Sequence, residues 1–275
     1  MHSFNFQEIS MKKILYILLG VMVLSVMSCN DIEEKDRYIY VKPAEKGRKV
    51  LVEDYTGQNC PNCPEATDEI HKLMKQYGGD TLIAVAIHSG PMGLKGKRGL
   101  ATELGNTYYN YFKFDSQPVG MVNRHGKLKF ADWAGAVYNE VQTKAPLDLD
   151  LVTAYDAEKG SVDVTVNTRG TRGTTEGKLQ LWVLEDSIVA RQSLKGGAVD
   201  NKYVHNHVLR AAVNGDWGTA YKIAEGESTS EKFHYDLNKK WKPAHLSIVA
   251  FVYNDGGVQQ VNKAAVMKAP AAPQK

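Results

Sequence analysis

Cysteine is scarce in this chain: its 275 residues carry three, at positions 29, 60 and 63. That excludes a framework of structural disulfides and leaves everything after residue 63 without a bridge. A surplus of charge is also missing. The 34 basic residues face 31 acidic ones, for a formal charge of +3. No Lys/Arg tract stands out, so nucleic acid is not an expected partner. Long apolar runs are rare too. The run from Ile14 to Met27 is too short for a membrane-spanning helix, and Lys12-Lys13 before it gives the charged flank of a secretion signal. Residues 1–10 include Glu8 and fit a signal poorly, which favours Met11 as its start.

What is present centres on Asn59-Cys60-Pro61-Asn62-Cys63-Pro64. The run Val50–Tyr55 before it reads as a buried strand, with Thr56-Gly57 as the exit turn. After it, Ala66, Ile70, Leu73, Met74 and Tyr77 fall on one helical face that ends at Gly78-Gly79. Pro61 suits the first helical position, where its missing N–H has no partner to lose. Unpaired N–H groups at a helix start favour a thiolate, the nucleophile of disulfide exchange. Cys60 is then expected at the exposed end and Cys63 one turn in, close enough to bridge. Three readings stay open: disulfide exchange, a small structural disulfide, or zinc, which would need two further ligands. No metal and no cofactor is expected.

Thr81–His88 is apolar without alternation, as for a strand covered on both faces. A Gly-rich loop (89–99) leads to a helix carrying Leu104, Tyr108, Tyr111 and Phe112. Gln117–Val122 reads as a third strand, His125-Gly126 as a turn into Leu128–Phe130, and a last helix starts near Asp132. His88 ends its strand at the same sheet edge as Cys60. As a cation it would favour the thiolate; the alternative is a hydrogen-bonded loop residue. Asp54 reads either as a half-buried acid paired with a lysine or as part of the cysteine site.

From Pro146 the pattern changes to strands without helix-length stretches. Leu147–Leu151 and Val162–Val166 alternate strictly, and 179–183, 204–213, 232–235, 246–253 and 258–266 follow. Seven or so short strands with Gly/Asn/Asp turns suggest an antiparallel sandwich resembling the immunoglobulin class, here without that class's bridge. In Val204–Val213, His205 and His207 would point to one side of a strand, a spacing that can grip a metal and that more often marks a polar face or a hydrogen-bonded histidine. Trp217 and Trp241 are candidates for a binding surface.

The order βαβ, helix, ββα with a cysteine pair after the first strand resembles thioredoxin over roughly a hundred residues. The resemblance implies that Cys60 attacks and Cys63 resolves, that Asp54 handles the proton of the inner cysteine, and that Pro118 is the cis proline opposite the disulfide. Asn59, the Pro61-Asn62 pair and Gln117 replace the family's Trp, Gly-Pro and Thr. Val26-Met27-Ser28-Cys29 resembles the lipobox of bacterial lipoproteins, which implies cleavage before Cys29 and lipid on it. The acidic run after Cys29 resembles export signals of Bacteroidetes lipoproteins. Together with Val50–Gly57, Cys60–Pro64 and Tyr203–Arg210, the lipobox resembles the Omp28-related outer membrane lipoproteins of Bacteroidetes. The expected organisation is a signal peptide (1–28), a tether (29–47), a thioredoxin-like α/β domain (48–145), an all-β immunoglobulin-like sandwich (146–268) and a tail (269–275). The expected function is thiol–disulfide exchange on extracytoplasmic proteins by a lipid-anchored outer-membrane protein, on the periplasmic or the cell-surface face. The rival is a surface binding or adhesion lipoprotein that meets an unknown ligand and in which Cys60–Cys63 is structural only.

Overall fold

The computed structural model describes residues 47–267. The signal region, Cys29, the tether up to residue 46 and the tail lie outside the described residues.

Strand β1 (Val50–Thr56) is buried along its whole length, covered on both faces, and takes Glu53 and Asp54 into the interior with its apolar residues. Helix α1 (Cys63–Tyr77) buries Cys63, Ala66, Ile70 and Leu73 on one face. Strand β2 (Leu82–His88) runs parallel to β1, with Thr56 beside His88. Helix α2 (Glu103–Tyr111) is capped by Thr102, whose hydroxyl accepts from the Gly105 N–H. Strand β3 (Val119–Val122) lies antiparallel to β1 and helix α3 (Trp133–Val141) follows. The expected strand at 128–130 is reduced to one bridge, Gly120 to Leu128, because a 3₁₀ turn at Phe130–Asp132 takes over at once.

Ten strands make up the rest: β4 (Leu147–Asp156), β5 (Ser161–Gly170), β6 (Thr174–Glu185), β7 (Ile188–Ser193), β8 (Val199–His205), β9 (Val208–Ala212), β10 (Thr219–Ala224), β11 (Ser228–Asp236), β12 (Leu246–Asn254) and β13 (Gly257–Ala265). One mixed sheet runs β13-β12-β6-β9-β2-β1-β3, with β10 also on β6; β11-β5-β4 forms a small antiparallel sheet and β7-β8 a separate hairpin. The change of composition at Pro146 does not interrupt the main sheet: β9 joins it to β2 in parallel at Ala86–Val208. No strand is expected from the sequence at β7, at β10 or over most of β8, and the single strand expected at 204–213 is divided between the end of β8 and β9.

The pleat sorts the core. On β6, Trp182 and Leu184 face one side with Phe251, Tyr108 and Tyr55. Leu181 and Val183 face the other, against Leu147, Val162 and Val164 of the small sheet. On β1, Val50 and Val52 pack beneath α1 and α3 with Ile70, Leu73 and Trp133. Alternating positions on single strands therefore serve separate cores, which is why a one-residue slip would misplace every side chain.

Candidate functional site

Cys60 and Cys63 form a disulfide, with Cα atoms 5.4 Å apart. The helix begins at Cys63, with Asn62 as its cap and Pro64 in the first turn, so Pro61 belongs to the preceding bend. Cys60 is held by its own N–H to the Gly57 carbonyl at 3.0 Å. Gly57 itself is pressed against the neighbouring loop: a Cβ there would meet the Met92 carbonyl oxygen at 2.2 Å, so only glycine lets the two segments approach. The Gln117–Pro118 bond is cis. Since Tyr55 lies opposite Val119, Pro118 stands beside the end of β1, and the Gln117 amide donates to the carbonyls of Thr56 (2.7 Å) and Ser89 (3.0 Å).

The exposure of Cys60 differs from expectation. Both cysteines are 1% exposed, because the β7–β8 hairpin closes over them. Gln192 donates to the carbonyls of Cys60 (2.8 Å) and Gly57 (3.3 Å). Ser193 N–H donates to the Gln58 carbonyl at 2.8 Å, Arg191 reaches Asn59 Oδ1 at 2.7 Å, and Lys195 pairs with Glu65. No signal before the hairpin was folded onto the site identified these residues, which come from more than 120 positions downstream. Because the disulfide becomes reachable only when these bonds open, Gln192→Ala is expected to speed its reduction by dithiothreitol. Two lost hydrogen bonds at roughly 0.5–1.5 kcal/mol each correspond to about tenfold. A thiol-alkylation time course measures it, and an unchanged rate would show that the hairpin does not guard the bond.

Beneath the hairpin lies a chamber of about 20 Å³, lined by Asp54, Cys63, His88, Gln192, Tyr203 and His205. That is room for about one water. Asp54 is 1% exposed and forms no ion pair among the described residues, and its Oδ1 has no hydrogen-bond partner. Burial pushes its carboxyl up to about 8. The half-buried, lysine-paired reading of Asp54 is thereby replaced: the acid is fully buried and unpaired. His88 is 3% exposed, with its ring 5.1 Å from that of His205. Burial, then His205 and Arg210, hold it well below the usual imidazole range. It is therefore neutral and supplies no cation to the sulfurs. His205 and His207 both line the chamber, but they do not share one strand, because His207 adopts φ 56° in the turn between β8 and β9. His205 enters the chamber and burial lowers it to about 4, while His207 Nδ1 lies 3.1 Å from Asp186. Among the described residues, no three His, Cys, Asp or Glu side chains converge as a metal site.

Fold and site together define a mixed α/β protein with an enclosed Cys-x-x-Cys disulfide at the edge of a sheet shared with a β-rich half. The chain belongs to the Omp28 family: the family model "Outer membrane protein Omp28" matches residues 105–269. The matched span begins after Cys63, so it covers β3 and the β-rich half rather than the cysteine pair. Among solved structures, HBP35 of Porphyromonas gingivalis is similar at TM-score 0.65 and 16% identity, over 85% of this chain and 80% of that one. That likeness shows a common fold. A domain of the outer membrane lipoprotein Omp28 from Porphyromonas gingivalis also matches, at 25% identity over 44% of this chain and 88% of its own, with TM-score 0.33. Among curated proteins nothing matches. No helix of the described residues is long and apolar enough to cross a membrane.

Proposed function

We propose that this Omp28-family protein is a lipid-anchored thiol–disulfide exchange protein of the outer membrane, with a thioredoxin-like half fused through one sheet to an immunoglobulin-like sandwich. The anchor is lipid on Cys29. The observation that carries the reading is Asp54: a buried carboxyl with an unpaired oxygen costs stability, and it shares a one-water chamber with Cys63. A bridge that only fastened a loop would gain nothing from it. In the step we assign, a substrate thiolate attacks Cys60 Sγ and the Cys60–Cys63 bond breaks. The electron pair leaves on Cys63, which takes its proton from protonated Asp54, directly or through one water. A second substrate thiolate then attacks the substrate sulfur of the mixed disulfide and Cys60 leaves as a thiolate, so the substrate departs with its own disulfide and the protein is left reduced at both cysteines. The reverse sequence uses the same atoms. Pro118 borders the groove that takes the substrate.

The enclosure of both sulfurs favours a second reading, a surface binding protein whose bridge is structural. Cys63→Ser separates the two. With Cys63 absent, mixed disulfides on Cys60 lose the internal thiol that resolves them, so extracytoplasmic proteins are expected to accumulate on the variant as bands that disappear on reduction. If none accumulate on Cys63→Ser, even with Gln192→Ala opening the hairpin, the exchange reading falls and the structural one stands.

A further inference from the structure

A second concave site lies outside the cysteine chamber, on the far side of β7. It encloses about 800 Å³, the size range of organic ligands rather than of one small inorganic ion. Its walls come from three separate segments: Lys97 and Arg98, Arg191, and Lys240 with Lys242. Its one carboxylate, Glu185, is already engaged, with Arg210 Nε at 3.4 Å and the Lys242 N–H at 3.2 Å. Arg191 is satisfied only by neutral groups, Asn59 Oδ1 and Ser193 Oγ. The side chains of Lys97, Arg98, Lys240 and Lys242 face no carboxylate among the described residues. Five cations thus converge on one groove in a protein whose whole net charge is +3. Such a concentration focuses field on an anion.

The groove is built, not incidental. Gln58, fully buried, ties its walls together: its amide donates to the carbonyls of Arg98 (3.3 Å) and Arg191 (3.2 Å), and its Oε1 accepts from Leu100 N–H at 2.8 Å. Half-buried Trp241 stands among the cations, with the Arg210 guanidinium 5.5 Å from its ring. An indole beside ammonium and guanidinium groups suits a ring with an apolar face and anionic substituents. An added peptide strand is disfavoured because the edge of β7 at Arg191–Ser193 is already spent on Gln58 and on His205, whose Nε2 lies 3.4 Å from the Arg191 carbonyl.

We propose that this groove binds an anionic saccharide, its sulfate, phosphate or carboxylate groups on the five cations and a sugar face against Trp241. The proposal is independent of the redox reading, since none of the five cations lines the cysteine chamber.

The test is calorimetric titration of the full chain with a heparin-derived tetrasaccharide at low salt. Saturable binding is expected, weakened about tenfold or more by Lys97→Gln/Lys240→Gln/Lys242→Gln and by raising the salt to screen the pairs. Trp241→Phe retains an apolar ring and is expected to weaken binding less than the triple variant. Lys72→Gln, on the exposed face of α1, is expected to change nothing. All substituted lysines are exposed, so unchanged thermal unfolding verifies the fold of each variant. Three results would each overturn the proposal: no binding, equal loss in Lys72→Gln and in the triple variant, or tighter binding of hexaglutamate, which would assign the groove to acidic peptides.

Discussion

Arg124→Leu is expected to cost roughly 3–5 kcal/mol of folding stability, the penalty for leaving a buried carboxylate without its counter-charge. Glu53 is fully buried in the centre of β1 and its carboxylate lies 3.2 Å from the Arg124 guanidinium, itself 5% exposed. Burial pushes the Glu53 carboxyl up, and Arg124 pulls it part of the way back. The guanidinium is further enclosed by the rings of Tyr253 (4.3 Å), Phe251 (4.8 Å), Trp182 (5.4 Å) and Phe112 (5.7 Å). Removing Arg124 leaves Glu53 a choice between an unpaired charge and a proton. The deficit is therefore smallest at low pH, where Glu53 is protonated, and grows as pH rises through its elevated folded pKa. Denaturant unfolding at pH 5 and pH 8 reads both parts. The double variant Glu53→Gln/Arg124→Leu should recover most of the loss, since replacing both partners is far cheaper than removing one. If the double variant is as unstable as the single, the loss comes from the four rings and not from the charge.

That pair also marks where sequence reading stops. Glu53 stands in a run, Val50–Tyr55, whose apolar character revealed the strand, and its burial follows from the strand. Its partner does not: Arg124 adopts φ 62° in the turn after β3, a position that local pattern assigns to a loop and hence to solvent. The same limit governs the cysteine site. Cys60, Cys63, Asp54 and Pro118 were legible because they sit at fixed offsets from one strand–turn–helix unit and its neighbouring strand. Gln192, Tyr203 and His205 were not, because their approach depends on β9 entering the sheet beside β2 at Ala86–Val208, a long-range pairing with no local signature. His205 and His207 show the finer failure. Their spacing of two implied one face of one strand, but a left-handed residue at His207 ends the strand between them, so both reach the chamber while only His207 pairs with Asp186. The β-rich half was read correctly as strands where one face is apolar, and missed at β7, where alternation is blunted by Arg191 and Gln192 turning inward to hydrogen-bond the cysteine loop.

Asp54→Asn is the substitution expected to change both stability and chemistry. The carboxyl is pushed up to about 8 in the folded protein from an ordinary value of 3.8. Between those values the unfolded chain is ionised while the folded one keeps its proton. Stability therefore declines as pH rises across that window, by about 1.4 kcal/mol per unit, and levels off above it. The total is several kcal/mol, with no discount for solvent screening because the group is 1% exposed. Asparagine carries no charge to bury, so the variant should lose this slope and be the more stable protein at pH 8, as denaturant unfolding of the oxidised forms between pH 4 and 9 would show. The same replacement removes the proton that Cys63 needs as it leaves the disulfide. Reduction at neutral pH should slow by about tenfold or more, within what a positioned acid contributes. The two readouts divide the readings of the site. An exchange protein gains stability and loses rate. A structural bridge gains stability with its reduction rate unchanged. A pH slope identical in both proteins would mean that Asp54 is not the protonated acid, and the mechanism drawn from it would fall with that result.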